Sequence, residues 1–117
     1  MRTNRSDIAV LLYQIGEAPR PKFIPNTLEA MQELVGGYIE TVTLEDGLIL
    51  VCNEEGRMNG LPPNASVTTR YGQQYIYGDF FICRGEGDEF SGLHNSQEML
   101  DAMDYVTERY KPEKRKL

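Results

Sequence analysis

The strongest structural pattern in the chain lies at residues 38–53, which read YIETVTLEDGLILVCN. Two runs rich in β-branched and aliphatic residues flank the tripeptide Glu45-Asp46-Gly47. Asp-Gly between two such runs is a strong hairpin signal, because a tight turn needs residues that accept a positive φ. The pattern therefore predicts two antiparallel strands, 38–44 and 48–53.

Upstream of this hairpin, the sequence predicts a strand, a stiff connection and a helix. Residues 8–15 are a continuous apolar run, typical of a strand buried on both faces. Three prolines between residues 16 and 25 favour extended backbone, as a loop or an edge strand. Asn26 and Glu29 fit the two ends of a capping box, and Gly36-Gly37 ends a helix of about ten residues. Its apolar face consists of Leu28, Met31, Leu34 and Val35.

The middle of the chain, downstream of the hairpin, carries weaker signals. Residues 54–64 are rich in turn-forming types and predict an irregular loop anchored by Leu61. Residues 66–74 have no clear periodicity. Residues 75–84 predict one strand, in which Gly78 marks a bulge or a close approach of two backbones.

The last part of the chain predicts a turn, a short strand and a second helix. The turn lies at 85–88 and the strand at 89–93. Asn95 is the expected N-cap of a helix of about 14 residues. The apolar side chains of this helix recur at steps of four, three and four, at Met99, Met103, Val106 and Tyr110.

These elements predict a single domain of the α+β class. We expect a mixed or mostly antiparallel sheet of four to five strands, with two helices on one face. The 117 residues suffice for one domain, which we place at residues 8–110. Residues 1–7 are the expected flexible N-terminus, and residues 111–117 are the expected basic flexible tail.

Charge is distributed unevenly along the chain. Residues 23–108 hold fifteen Asp and Glu against three Arg, a sum of −12, whereas the flanks hold nine basic and three acidic residues, a sum of +6. The negative charge of residues 23–108 repels phosphate groups and therefore disfavours nucleic-acid binding by this part of the chain. An alternative is mimicry of a phosphate surface, which requires the carboxylates of 29–46 and 88–108 to share a face.

The sequence lacks the motifs of several common activities. One histidine, His94, and two isolated cysteines, Cys52 and Cys83, do not form the ligand set of a structural zinc. Phosphate-binding, dinucleotide-binding and serine-hydrolase glycine motifs are missing. We therefore expect no metal and no cofactor. The longest apolar runs are far shorter than the roughly 18–20 residues of a membrane span, so we expect a cytoplasmic protein without membrane association.

Polar residues around the first helix and the hairpin are the candidate binding residues. Glu40 lies inside a predicted strand. Glu is disfavoured there unless that face of the strand is exposed to solvent or the carboxylate has a partner, so Glu40 is a candidate. Asn, Gln and Glu side chains between the helix start and the hairpin can present donors and acceptors to a small polar ligand or a peptide. The predicted binding residues are Asn26, Thr27, Glu29, Gln32, Glu40, Asn53, Glu54 and Asn64. Tyr75 and Tyr77 favour packing on the sheet or in a protein interface.

Three sequence blocks carry a resemblance to a known family. They are residues 24–40, residues 51–56 with their Asn-Glu-x-Gly turn, and residues 60–64 with their Leu-Pro-x-Asn step. Together they resemble a family of small uncharacterised proteins, a domain of unknown function, over residues 8–93. The resemblance implies a setting on phages, plasmids and conjugative elements of bacteria, often near anti-restriction genes. It implies no activity.

The leading hypothesis is a non-enzymatic binding or accessory protein of a mobile genetic element. Such a protein would counteract a host defence system by binding a protein or a small polar ligand. An acidic DNA mimic that inhibits a nucleic-acid-processing enzyme is the alternative. A small enzyme with Glu40 or Glu54 as general base is a third hypothesis. A homodimer is the oligomeric state we expect for a chain of this size.

Overall fold

The structure, a computed structural model, describes residues 7–86 and 89–111. These residues form nine strands and two helices. In chain order they are β1 (Asp7–Tyr13), β2 (Arg20–Pro25), α1 (Leu28–Val35), β3 (Ile39–Thr43), β4 (Leu48–Asn53), β5 (Pro63–Thr69), β6 (Gly72–Tyr77), β7 (Phe80–Glu86), β8 (Glu89–Ser91), α2 (Ser96–Met103) and β9 (Val106–Arg109).

The predicted hairpin is confirmed. β3 and β4 pair antiparallel from Ile39 opposite Asn53 to Thr43 opposite Ile49. Asp46 and Gly47 adopt the left-handed conformation, with φ values of 58° and 81°. This is the backbone geometry that favours Asp-Gly at a hairpin tip.

The strands form two antiparallel sheets. The central sheet has the order β2-β1-β7-β4-β3, and β8 pairs with the end of β7. The small sheet has the order β6-β5-β9. The prediction of one sheet with four to five strands is therefore wrong in its strand count and its number of sheets, although the α+β class stands.

The central sheet is buried on both faces because its inner strands alternate apolar side chains to both sides. One core lies under α1 and includes Val10 of β1 and Phe81 of β7. The other core lies under the small sheet and α2, and includes Leu11 of β1 and Phe80 of β7. The two helices therefore lie on opposite faces of the central sheet, and the prediction that they share one face is wrong.

The strand predicted at 75–84 is divided between the two sheets. β6 ends at Tyr77 and β7 begins at Phe80. Gly78 has a φ of 83°, and a Cβ at this position would lie 2.7 Å from Leu61 Cδ1. A side chain here would be both strained and crowded, so glycine allows the chain to leave one sheet and enter the other.

The second helix is shorter than predicted. α2 has eight residues and ends at Met103, and Val106 pairs with Val67 of β5. The helical spacing of the apolar residues beyond Met103 was therefore misleading. Asn95 is the N-cap, as predicted, and its Oδ1 accepts a hydrogen bond from Glu98 N at 2.9 Å.

The cap of the first helix is displaced by one residue from the prediction. Thr27, and not Asn26, is the N-cap, and Thr27 Oγ1 accepts a hydrogen bond from Ala30 N at 3.1 Å. The Asn26 side chain donates instead to the Phe90 carbonyl at 3.0 Å and ties the start of α1 to β8. α1 has eight residues and ends at Val35.

Several predicted segments fall outside the described residues. They are the N-terminus up to residue 6, residues 87 and 88 of the predicted turn, and the tail from residue 112. Asp7 and Glu86 belong to strands. In the described ranges, neither helix is long and apolar enough to cross a membrane.

Candidate functional site

Two open clefts meet at the end of β4. The first, which we call the strand-edge cleft, has a volume of about 320 Å³ and lies between the β3–β4 hairpin and β6. The second, which we call the turn cleft, has a volume of about 310 Å³ and lies beside the end of α1. Asn53 and Glu54 line both clefts.

The floor of the strand-edge cleft is one face of the hairpin. Glu40 and Val42 alternate along β3, and Cys52 lies opposite Glu40 on β4. Cys52 is buried, and burial together with the nearby Glu40 carboxylate raises the pKa of its thiol to about 12. Cys52 is therefore a neutral thiol near neutral pH and a poor nucleophile.

The wall of the strand-edge cleft is β6. Five consecutive residues of this strand, 73–77, line the cleft. Because side chains alternate along a strand, an unbroken run of lining residues means that the edge of β6 borders the cleft, and not only one of its faces. Gly56 closes one end, since a Cβ there would lie 2.9 Å from the Tyr77 carbonyl oxygen.

Asn53 builds the turn that carries Glu54. Its Nδ2 donates to the Val35 carbonyl at 3.0 Å, and its Oδ1 accepts from Glu55 N at 2.8 Å. The backbone N–H of Glu54 donates to the Tyr38 carbonyl at 2.8 Å. These bonds attach the turn after β4 to the end of α1 and to the residue that precedes β3. The Glu54 side chain remains exposed between the two clefts.

Asn64 has a structural environment. Its side chain is fully buried, and Nδ2 donates to the carbonyls of Tyr13 at 3.1 Å and Gly78 at 2.8 Å. Its Oδ1 accepts hydrogen bonds from Nε and Nη2 of Arg109 at 3.1 and 2.9 Å. The Arg109 guanidinium also lies 5.0 Å from the centre of the Tyr13 ring. A ligand has no access to Asn64 in this arrangement.

The remaining predicted residues are spread over α1. Gln32 lines the turn cleft. Asn26 and Thr27 border a third hollow of about 440 Å³ at the start of the helix. Glu29 is exposed and lines none of the described hollows. The structure therefore brings together Gln32, Glu40, Asn53 and Glu54, and it separates the others from them.

Two parts of the clefts were missed by sequence reasoning. Arg57 and the β6 edge line the strand-edge cleft, and Tyr38 and Asn59 line the turn cleft. β6 is placed there by its pairing with β5, for which residues 66–74 gave no clear pattern. In the structure, buried Val67 and Thr69 alternate with exposed Thr68. Because threonine occupies both faces, the sequence shows no alternation of apolar and polar residues there.

The acidic residues fall into separate groups. Glu45 and Asp46 of the hairpin tip lie near Tyr105, as do Asp101 of α2 and Asp104, which follows this helix. Burial, with a further contribution from these carboxylates, raises the pKa of Tyr105. Glu29 and Glu33 belong to α1, on the other face of the central sheet. In the part of the chain that the structure describes, no three His, Cys, Asp or Glu residues form a metal-binding group.

The fold and the clefts together define a two-sheet α+β domain with an open polar surface where the hairpin, the turn after it and β6 meet. The chain belongs to a family described as Domain of unknown function (DUF3846), whose family model matches residues 8–111. Comparison with curated proteins gives no significant match. Comparison with solved structures also gives none.

Proposed function

We propose that this protein is a non-enzymatic binding protein whose recognition surface is formed by the two clefts that meet at Glu54. One observation carries the proposal. The Glu40 and Glu54 side chains are exposed at open clefts, and among the described residues neither carboxylate takes part in a hydrogen bond or an ion pair. The neighbouring Asn53 holds the turn through one donated and one accepted hydrogen bond with the backbone, while the Glu54 carboxylate beside it remains available to a partner.

The residues around the clefts favour a protein partner. Tyr38, Met58 and Tyr75 are 72%, 82% and 65% exposed. Tyr38 and Tyr75 each line a cleft, Met58 follows Arg57 in the turn, and Arg57 lines the strand-edge cleft. Tyr, Met and Arg are the residue types that protein interfaces favour over the rest of the surface.

The cleft chemistry supports binding over catalysis. Cys52, the one thiol that lines the strand-edge cleft, is held protonated by burial and by Glu40. A general base at Glu40 remains the enzymatic alternative. Turnover of a nucleotide or peptide that the variant Glu40→Gln abolishes would establish that alternative and overturn the proposal.

The proposal is tested by quantitative capture of partners from a bacterial lysate on the immobilised full chain. We compare the wild type with Glu54→Lys and with Glu17→Lys, a matched charge reversal at an exposed residue outside both clefts. The amount of each specific partner recovered on Glu54→Lys should be about tenfold lower than on the wild type. The amount recovered on Glu17→Lys should stay within about twofold of the wild type. Equal recovery on all three proteins would overturn the proposal.

We further propose that the protein acts in the bacterial cytoplasm as an accessory protein of a mobile genetic element, where it counteracts a host defence system. The support is the resemblance of the three sequence blocks in residues 24–64. Expression of the chain in a host with an active restriction system should raise the plating efficiency of a restricted phage. Glu54→Lys should lose that effect and Glu17→Lys should keep it, and an unchanged efficiency with the wild type argues against this role.

The carboxylates around Tyr105 favour a second candidate, a DNA mimic. Four of them gather from two distant segments, as mimicry requires, although Glu29 and Glu33 lie on the other face of the central sheet. Binding to a basic nucleic-acid enzyme should then weaken steeply with salt. Asp101→Asn with Asp104→Asn should weaken it further, while Glu29→Gln with Glu33→Gln should not.

A further inference from the structure

We infer that the strand-edge cleft receives an extended segment of a partner protein, which adds to β6 as a fourth strand of the small sheet and places a Lys or Arg side chain against Glu40. This inference rests on the proposed function, and it specifies the partner and the way in which it binds. Three features support it: the edge of β6 that borders the cleft, the face of the β3–β4 hairpin that forms the floor of the cleft, and the negative charge of the cleft.

The backbone of β6 offers unused hydrogen-bonding groups to the cleft. Thr68 N donates to the Tyr105 carbonyl at 2.8 Å, so the backbone of Thr68 points away from β6. In an antiparallel ladder, two opposite residues point either towards each other or away from each other. Gln73, opposite Thr68, and by alternation Tyr75, therefore direct their N–H and C=O groups into the cleft.

β6 also lacks the features that protect sheet edges. Among the described residues, β5 is the only strand that pairs with it. β6 reads GQQYIY, with neither proline nor charge. β2, at an edge of the central sheet, carries two prolines and Lys22, which discourage strand pairing. An unprotected edge that borders a cleft is the geometry of peptide recognition by strand addition.

The floor of the cleft determines which side chains the added strand carries. Every second side chain of the added strand would face the hairpin, where Val42 and Cys52 are apolar and Glu40 is acidic. The cleft holds two carboxylates, Glu40 and Glu54, against one guanidinium, Arg57. A segment with apolar residues and one Lys or Arg at alternate positions is complementary to this surface.

The specificity is tested with a peptide library on the full chain. The probes are labelled peptides of about eight residues, in which Val and Thr alternate and Lys, Glu or Gln replaces each position in turn. Fluorescence anisotropy should show that Lys at positions of one parity binds at least about tenfold more tightly than Glu there. Glu40→Lys should reverse that preference. A library without binding, or without a preference for Lys, overturns the inference.

The binding mode is tested by amide hydrogen exchange with the tightest Lys peptide. The amides of Gln73 and Tyr75 should exchange at least about tenfold more slowly in the complex. The amides of Gln74 and Ile76, which already face β5, should change less. Unchanged exchange at Gln73 and Tyr75 overturns strand addition, even if the peptide binds.

A pair of variants separates backbone from side-chain recognition. Tyr75→Pro removes an N–H that points into the cleft, whereas Tyr75→Ala removes the ring and keeps the N–H. Strand addition predicts that the proline weakens peptide binding about tenfold more than the alanine does. Equal losses overturn it. If Tyr75→Pro does not fold, as judged by circular dichroism, the exchange measurement decides.

These outcomes are distinct from failure of the proposed function. Partner capture that depends on Glu54, without peptide binding at β6, overturns the inference and leaves the binding function in place. Dimers of the wild type that protect the Gln73 and Tyr75 amides without a peptide would show that a second copy of the chain occupies the edge, which also overturns the inference.

Discussion

The side chains of Asn64 and Asn53 each join distant segments of the backbone by hydrogen bonds. Asn53 donates to the carbonyl of Val35 at the end of α1, and Asn64 donates to the carbonyls of Tyr13 in β1 and of Gly78. The side-chain oxygen of each asparagine also accepts a hydrogen bond. Both belong to the sequence blocks that carry the family resemblance. In this chain those blocks therefore encode the turns that position Glu54 and the junction of the two sheets.

Removal of the Asn64 side chain should destabilise the fold strongly. In Asn64→Ala, the buried carbonyls of Tyr13 and Gly78 lose their donor, and Arg109 loses one of its three acceptors, Oδ1 of Asn64, while it keeps two backbone carbonyls. We expect the free energy of unfolding to fall by about 2–4 kcal/mol, because buried polar groups without partners cost more than a hydrogen bond gains. Urea denaturation measures this loss. Asn59→Ala, at an exposed residue, is the control and should change it by less than about 0.5 kcal/mol.

The buried thiols should make the protein sensitive to alkali. Burial raises the pKa of Cys83, like that of Cys52, from 9.0 to about 12. Above pH 9 the unfolded chain loses these protons while the folded chain keeps them, so the contribution of the two thiols to stability is constant below about pH 9 and falls as the pH rises towards 12. Urea midpoints measured across this range should decrease. Cys83→Ala should have a shallower decrease, and an identical slope would contradict the prediction.

At the scale of elements, the sequence predicted correctly a turn and a helix cap that depend on interactions between neighbouring residues. The Asp46-Gly47 turn and the Asn95 cap depend on neighbours within a few residues, and both were correct. The first cap was misplaced because Asn26 and Thr27 are both good capping residues. Only the position of Phe90, which accepts from Asn26, distinguishes them, and that contact spans 64 residues.

Long-range pairing explains the larger errors. Val106 fits a helix by spacing, but Val67 of β5 pairs with it and makes it a strand residue. Glu40 and Glu54 could be predicted as candidate site residues from their strand and turn positions. The β6 wall of the cleft could not, because its place depends on which of two sheets residues 72–77 join.

The junction at Gly78 should tolerate a side chain poorly. Gly78→Ala must adopt a φ of 83° and displace Leu61, whereas Gly60→Ala must adopt a φ of 76° with nothing within 4 Å. Gly60→Ala should therefore cost about 1 kcal/mol for its backbone alone. Gly78→Ala should cost more than this by about another 1–3 kcal/mol, because it overfills a packed site. Equal losses in chemical denaturation would mean that Leu61 moves freely.

At the scale of the whole molecule, β7 unites the two cores. Phe80 and Ile82 pack under the small sheet, while Phe81 and Cys83 pack under α1. Because side chains on both faces belong to one strand, neither core can lose its order without disturbing the backbone of the other. The domain should accordingly unfold as one unit.

This cooperativity can be tested with one substitution in each core. Phe80→Ala and Phe81→Ala each remove a fully buried ring and should each lower the free energy of unfolding by about 3–5 kcal/mol. In both variants, circular dichroism and tyrosine fluorescence should follow the same denaturation curve. Separate transitions in either variant would show that the cores are independent.

Arg109 joins the last described strand to the first, since its Nη2 donates to the Gln14 carbonyl, directly after Tyr13, at 2.9 Å. During synthesis, the amino-terminal strands emerge from the ribosome well before this arginine. While residue 109 is still inside the ribosome, β5 lacks β9 as its neighbour, and the side-chain oxygen Oδ1 of Asn64 lacks the Arg109 guanidinium that donates to it. The nascent chain can therefore pair β1, β4 and β7 early, but it closes into its native form only after synthesis has passed Arg109.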